Sequence, residues 1–291
     1  MKILIIGQHG QVSRHLQTSL ADVGTLQVLG RDALDLSQPD DLVAKVLARQ
    51  PDLIINAAAH TAVDQAESET DLAHTINATA PGLLAEAATQ LGVPLIHYST
   101  DYVFDGSHTA PYTEQDAPNP LSVYGASKLA GEQAILAVGG QHLILRTSWV
   151  YSQYGRNFLL TMQKLLQERE ELRVVADQVG APTWAGTIAH STRQLIKRWR
   201  DGQPGAWGVY HLTASGETSW FGFAQAIGAQ LAAQGKPCAR LEPIPTSAYP
   251  TPATRPLNSR LDCSKLQREW GVSQPDWQQA LLECLSQPRQ A

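Results

Sequence analysis

Short apolar runs alternate with longer stretches of helical spacing through the first half of the chain. After its first residue, Lys2–Ile6 is unbroken apolar sequence, the pattern of a strand buried on both faces. It stops at Gly7 to Gly10, and Val12 to Leu20 follows with helical spacing. Leu26–Leu29 predicts a second strand, Asp40 to Arg49 a helix entered through Gln38-Pro39, and Asp52–Asn56 a third strand. Thr70 to Leu91 predicts one long Ala-rich helix. Pro94–Ser99 and His142–Arg146 predict two more strands, with a helix over Leu121 to Val138 between them. Strands alternating with helices of about ten residues or more predict an α/β protein built on a doubly wound parallel sheet.

Past residue 150 the rhythm loosens. Phe158 to Arg169, Ile188 to Arg200 and Gln278 to Leu285 have helical spacing, and Val209–Leu212 offers one more strand to the main sheet. Pro243 to Pro256 holds five prolines in fourteen residues, which predicts an ordered loop or sheet edge and excludes a helix. No internal repeat or low-complexity segment interrupts the chain. The expected organisation is a dinucleotide-binding domain over residues 1–150, with later returns to the sheet near 183–213. Residues 151–291 then form mainly a smaller substrate-binding lobe. The 291 residues fit that division, at ~100–200 residues per domain.

Composition narrows the function. Hydrophobic residues make up 43% and charged residues 17%, enough to build a core and too few charges for a disordered chain. The net charge of −5 argues against nucleic-acid or anionic-membrane partners. No apolar run approaches the ~20 residues that span a bilayer, and Ile3 to Ile6 is too short for a signal-peptide core. Three scattered cysteines, Cys238, Cys263 and Cys284, fit a reducing, cytoplasmic setting. The nine histidines form no ligand cluster, so the expected metal site is none.

Three motifs carry chemistry. The first is Gly7-Gln8-His9-Gly10-Gln11-Val12-Ser13, directly after the first strand. Its glycines allow a tight turn and close backbone approach to a pyrophosphate, and the helix that follows presents free N–H groups to that anion. This makes the sheet Rossmann-like. The second is the end of the next strand, Leu29-Gly30-Arg31-Asp32. An acid there would bond a ribose 2′-hydroxyl; Gly30 removes it and Arg31 suits a 2′-phosphate, which favours NADPH and leaves NADH use open. Asp35 and Leu36 are candidates to line the adenosine. The small residues of Asn56-Ala57-Ala58-Ala59-His60-Thr61 let a ligand pass close above the third strand, with His60 expected to be held by local hydrogen bonds.

The third motif is Tyr124-Gly-Ala-Ser-Lys128, whose ends share one helix face. A lysine cation beside a phenol would lower its pKa from ~10 and make it a usable proton donor. Thr100, in Tyr98-Ser99-Thr100-Asp101, falls at a strand carboxyl end, where its hydroxyl can meet both a substrate oxygen and Tyr124. A Tyr-x-x-x-Lys match alone is common by chance; with the strand-end Thr and the glycine turn it becomes specific.

With these segments the chain resembles the extended short-chain dehydrogenases/reductases acting on nucleotide sugars, and most closely their dTDP-4-dehydrorhamnose reductase branch. The matching stretches include residues 56–64, 98–104, 123–132, 146–151, 177–183, 245–252 and 255–261, so the resemblance covers essentially the whole chain. It implies a catalytic set of Tyr124, Lys128 and Thr100. It implies a cofactor lined by Gly7, Gly10, Gln11, Val12, Ala59, His60, Thr61 and Tyr98. Thr100, Asp101, Tyr124 and Trp149 would meet the dTDP-sugar, with Asn157 and Arg255 toward its diphosphate. The implied reaction is reduction of a C4 keto group, the last step of dTDP-L-rhamnose synthesis. Some members of the family carry Mg²⁺ at a subunit contact; no carboxylate cluster here requires it, and a homodimer stays open. Ser13 in place of the third Gly and Gly30-Arg31 in place of an acid depart from the family pattern. Another dehydrogenase, epimerase or dehydratase of the same fold is the first alternative. A non-catalytic subunit similar to methionine adenosyltransferase beta is the second, and the intact Tyr124, Lys128, Thr100 and Trp149 argue against it.

Overall fold

The structure, a computed structural model, describes residues 1–287. The first half runs β1 (Lys2–Ile6), α1 (Gln11–Ser19), β2 (Thr25–Leu29), α2 (Leu42–Leu47) and β3 (Leu53–Asn56). Two short helices, α3 (Val63–Ala66) and α4 (Thr70–His74), lead through a π-helical turn at Thr75–Thr79 into α5 (Ala80–Leu91). Then come β4 (Leu95–Thr100), α6 (Val123–Val138) and β5 (His142–Thr147). The second half starts with β6 (Val150–Tyr151), α7 (Phe158–Glu168), β7 (Glu171–Val175), β8 (Val179–Gly180) and β9 (Thr183–Trp184). It continues with α8 (Ala185–Arg200), β10 (Gly208–His211), β11 (Thr218–Ser219), α9 (Trp220–Ala233) and β12 (Arg240–Ile244). It closes with α10 (Ser264–Trp270) and α11 (Trp277–Ser286).

The main sheet has six parallel strands in the order β10-β5-β4-β3-β1-β2. From β1 the chain first adds β2 on one side and then crosses to β3 on the other. Such a reversal opens a crevice at the carboxyl ends of β1 and β3. Alternate residues serve opposite faces. Ile3, Ile5, Ile55 and Leu145 pack with Leu16, Ile188 and Leu195 of α1 and α8, whereas Leu4, Ile6, Ile54 and Ile144 pack with α2, α5 and α6. A separate core joins Leu159, Leu166, Phe223, Ile227, Trp277 and Leu281.

The first five strands lie within a residue or so of their sequence positions, and β10 supplies the expected sixth. Helices α9 and α10 had no counterpart in the sequence reading. Thr70 to Leu91 is helical but is not one regular helix. Pro81 has no N–H, so the carbonyl of Asn77, four residues earlier, loses its α-helical partner and the turn widens. The widened turn brings α6 close: a Cβ on Gly131 would sit 2.0 Å from the Asn77 carbonyl oxygen. One turn from the other end, a Cβ on Gly125 would sit 2.2 Å from the Tyr102 carbonyl oxygen. The proline-rich segment forms the end of β12, which pairs only with β7, and a 3₁₀ turn at Thr246–Ala248, a loop and an edge as expected.

Two glycines thus set how deeply α6 sits. Gly131→Ala should lower unfolding free energy by about 1–3 kcal/mol, the usual range for overpacking. The check is a shifted urea midpoint at unchanged slope; a midpoint equal to the parent's would mean that the helix–turn contact has room to spare.

Candidate active site

Helix α6 is capped by Ser122, whose Oγ accepts from the Gly125 N–H at 3.1 Å. Its residues Tyr124, Lys128 and Glu132 recur at four-residue spacing and fall on one face. That face lies over β4, where strand alternation points His97 and Ser99 toward the helix. Glu132 is 1% exposed and accepts from Ser99 Oγ at 2.5 Å and from Arg146 Nη2 at 2.6 Å. Arg146 Nε adds a contact to Glu132 Oε1 at 2.9 Å, so the pair is bidentate and locks α6 to β4 and β5.

Thr100, the last residue of β4, is where the sheet meets this face. Its hydroxyl donates to Asp101 Oδ1 at 3.0 Å and accepts from the Tyr102 N–H at 3.2 Å. Burial pushes the Asp101 carboxyl up to about 6, against hydrogen bonds from Ser259 and Thr100 that lower it. The ring of Tyr124 meets Tyr102 edge-on with centroids 5.5 Å apart. Burial pushes the Tyr124 phenol up to about 12, with a hydrogen bond to Thr100 acting downward and the Asp101 charge upward. The expected lowering by Lys128 is therefore corrected. Lys128 is 1% exposed and turns inward: its Nζ donates to the Tyr98 carbonyl at 2.7 Å and lies 3.2 Å from His97 Nε2. Burial brings Lys128 down to about 8.

The crevice between β1 and β3 has the features of an anion cradle. Gly7 has φ +105°, and a Cβ there would lie 2.9 Å from the Ala58 nitrogen. Gly10 precedes α1 and gives no side-chain cap, so the first N–H groups of the helix, at Gln11 and Val12, stay open to a ligand. His60 is held at both backbone atoms by Asn77, with its N–H donating to Oδ1 at 2.8 Å and its carbonyl accepting from Nδ2 at 3.1 Å. Its ring meets Glu69 at 2.9 Å. These are the local hydrogen bonds expected of it. Ala59 beside it is half-buried and Thr61 exposed.

Several expected ligand contacts have other partners here. The Tyr98 ring is in the core, its hydroxyl 2.7 Å from Thr192 Oγ1, and its carbonyl is the part that faces Lys128. Leu36 is 5% exposed and belongs to the α2–α5 core. Arg31 is exposed and pairs through Nε with Asp35 Oδ2 at 3.1 Å. A Cβ on Gly30 would lie 2.6 Å from both Asp32 Oδ1 and Gln8 Oε1, so a carboxylate already reaches the spot that Gly30 leaves open. The hollow beside Arg31 is also lined by Asp40, Asp41 and Lys45. Asn157 caps α7 through Oδ1 and donates from Nδ2 to Gln11 Oε1 at 2.9 Å, which braces the glycine turn. Arg255 Nη2 pairs with Asp64 Oδ2 at 2.8 Å, and its charge acts on Tyr102.

Trp149 takes φ +47°, a left-handed conformation costly for a large side chain. It stacks on Trp220 with centroids 3.7 Å apart, and a Cβ on Gly180 would strike its ring at 2.7 Å. Trp220 Nε1 in turn donates to Gln178 Oε1 at 3.1 Å. Trp220, Gln178, Tyr102 and Asp64 were not singled out from the sequence. Ser219, which caps α9 ahead of Trp220-Phe221, was the available signal for the first of them.

The chain is similar to known proteins over nearly its full length. The family described as RmlD substrate binding domain matches residues 1–290. A dTDP-4-dehydrorhamnose reductase of Burkholderia thailandensis is 49% identical, with 98% of each chain covered. One from Escherichia coli K12 is 46% identical, covering 99% of this chain and 98% of the other. Among solved structures, a dTDP-4-dehydrorhamnose reductase from Clostridium acetobutylicum superposes with TM-score 0.91 at 37% identity, with 98% of each chain covered. One from Bacillus anthracis in complex with NADP gives 0.87 at 34% identity, again with 98% of each chain covered.

The buried Asp101 makes stability depend on pH. Its folded pKa of about 6 exceeds the ordinary 3.8, so its contribution is complete below pH 3.8 and disappears as pH rises through 6. The difference in unfolding free energy between the parent and Asp101→Asn should fall by about 2–3 kcal/mol between pH 3.8 and 6. Urea titrations across that window check it; a constant difference would mean that Asp101 titrates alike in both states.

Proposed function

The chain belongs to the dTDP-4-dehydrorhamnose reductase family, and from that premise we infer how its site works. It reduces the C4 keto group of dTDP-4-dehydro-6-deoxy-L-mannose to dTDP-L-rhamnose with a nicotinamide cofactor, NAD(P)H. The observation that carries the mechanism is the meeting of Tyr124, Thr100 and Asp101 at the carboxyl end of β4, with the open N-terminus of α1 at the same edge of the sheet.

Residues 1–150, with the returns near 183–213, hold the cofactor, and the remainder forms the substrate side. Gly7, Gly10 and the first N–H groups of α1 receive the pyrophosphate, and Gln11 is kept in place by Asn157 and Ser152. When bound, the reduced nicotinamide supplies hydride to C4. Tyr124, with its pKa near 12, is fully protonated at neutral pH, the form a donor to a developing C4 alkoxide must have. Thr100, tied to Asp101, stands within hydrogen-bond reach of the phenol and fixes its place at the end of β4. Lys128 spends one N–H on the Tyr98 carbonyl and keeps others for the cofactor ribose. Trp149, fixed by Trp220, offers an apolar face to the 6-deoxy end of the sugar. The three cysteines are unpaired, which supports a cytoplasmic setting.

Tyr124→Phe removes the proton donor and leaves the crevice intact. Its kcat should fall ~10²–10⁴-fold with cofactor affinity nearly unchanged. A variant retaining more than about a tenth of parental turnover would assign the proton to another group.

NADPH is the preferred cofactor through Arg31, but the preference is small. Arg31 is exposed, must leave Asp35 to reach a 2′-phosphate, and stands among Asp32, Asp40 and Asp41. An exposed pairing of this kind contributes about 1 kcal/mol or less, so NADPH should exceed NADH in kcat/KM by about fivefold at most. Arg31→Ala should bring the ratio to about one. A native ratio favouring NADH, or one untouched by the substitution, would remove Arg31 from cofactor choice.

A further inference from the structure

We propose that His97, oriented by Asn56, is a positioning residue that sets the charge of Lys128. The proposal rests on the reading of Lys128 as part of the reducing site. Asn56 and His97 are register partners on β3 and β4, and each is 1% exposed. Asn56 Oδ1 accepts from the Ala58 N–H at 3.2 Å, so the amide turns its nitrogen to His97 Nδ1, 3.1 Å away. A ring nitrogen that accepts carries no proton, and a neutral imidazole then bears its proton on Nε2. Nε2 is the atom facing Lys128 Nζ at 3.2 Å.

An Nε2–H can donate only to a lone pair. A lysine amine has one; an ammonium has none. The contact with His97 is therefore a hydrogen bond when Lys128 is neutral, donating to Tyr98 and accepting from His97. A charged Lys128 needs the ring proton on Nδ1 and the Asn56 amide turned over, which strips the Ala58 N–H of its acceptor. The two charge states of Lys128 are two hydrogen-bond arrangements reaching to the glycine-turn crevice. A doubly protonated His97 offers no escape, because burial and the Lys128 charge hold its pKa well below the usual histidine range.

The groups around Lys128 leave this balance to His97. Along α6, Tyr124 is uncharged at neutral pH and Glu132 acts on Lys128 upward. Glu132 is itself bound to Arg146 of β5. From β4 comes His97, and from β3 only the neutral Asn56. Burial brings Lys128 down to about 8, so both charge states are reachable near neutrality.

The test reads Lys128 directly. In protein labelled with ¹³C-lysine, the Lys128 side-chain resonance, identified by its loss in Lys128→Met, is followed against pH. No turnover is needed, so failure of the reductase reading would show separately in the keto-sugar assay. Asn56→Asp only accepts and so fixes the ring proton on Nδ1. Lys128 should then titrate at least about one pH unit higher than in the parent. The added carboxylate also acts through charge alone, so the same substitution is made in a His97→Gln background, where the step should shrink to less than about half. An unmoved titration in Asn56→Asp, or an equal step in both backgrounds, overturns the proposal. Should Asn56→Asp not fold, His97→Gln alone decides. Its amide is free to turn an oxygen to the ammonium, which should raise the Lys128 titration by about half a pH unit or more; no change overturns the proposal.

Discussion

A carboxylate buried beneath α6 holds the side chains of the candidate site in register. Glu132 is 1% exposed, and among the described residues its hydrogen bonds come from Arg146 and Ser99. Two charges withdrawn from water repay their desolvation poorly, yet removing one partner of such a pair costs about 3–5 kcal/mol. The pair therefore tolerates a single placement of the helix over β4 and β5. One turn before Glu132 comes Lys128 and two turns before it Tyr124, so the register of one ion pair becomes the position of the phenol. Gly125 and Gly131 complete the constraint by letting the helix descend until, at those two points, it meets the backbone carbonyls of Tyr102 and Asn77.

The sequence reading went furthest where local pattern and packing agree. The strands of the main sheet are buried on both faces and read as plain apolar runs, so their positions were visible. Helix α9 was missed because it is apolar nearly all round and follows a stretch rich in turn residues, which hides a helical period. The break at Thr75–Thr79 was equally hidden, although Pro81 was in view: only the approach of α6 shows why the freed Asn77 carbonyl is useful there. Within the candidate site, which residues meet was legible and the direction of their side chains was not. Tyr124, Lys128 and Thr100 stand at one strand end, but the spacing of Tyr124 and Lys128 could not say that the ammonium turns toward His97. Nor could it show that Tyr98 contributes its carbonyl, or that Leu36 points into the core.

The aromatic wall follows a different logic. Trp149 is held at positive φ, a cost of about 1–3 kcal/mol, and the stack on Trp220 helps to offset it. Strain of this sort persists only where neighbours over-determine the conformation. Gly180 on one side and the Trp220–Gln178 hydrogen bond on the other supply those neighbours. An indole fixed in this way presents a flat surface without having to be ordered when a ligand arrives, so less of the binding free energy goes into arranging the wall.

Strand β10, residues 208–211, pairs with β5, residues 142–147, at the edge of the main sheet. Between them the chain has already built α7 and β7, which belong to the second core. The six-stranded sheet is therefore closed by sequence that emerges only after part of the second core has been made. On the ribosome the sheet waits with β5 uncovered until the chain returns. The same threading makes the two halves poor modules for exchange: a cut near residue 150 would leave one fragment with an open sheet edge and the other with the strand that belongs there. Recombination at the apparent boundary would separate a sheet from its own last strand, which leaves substitution as the easier route of change in such a chain.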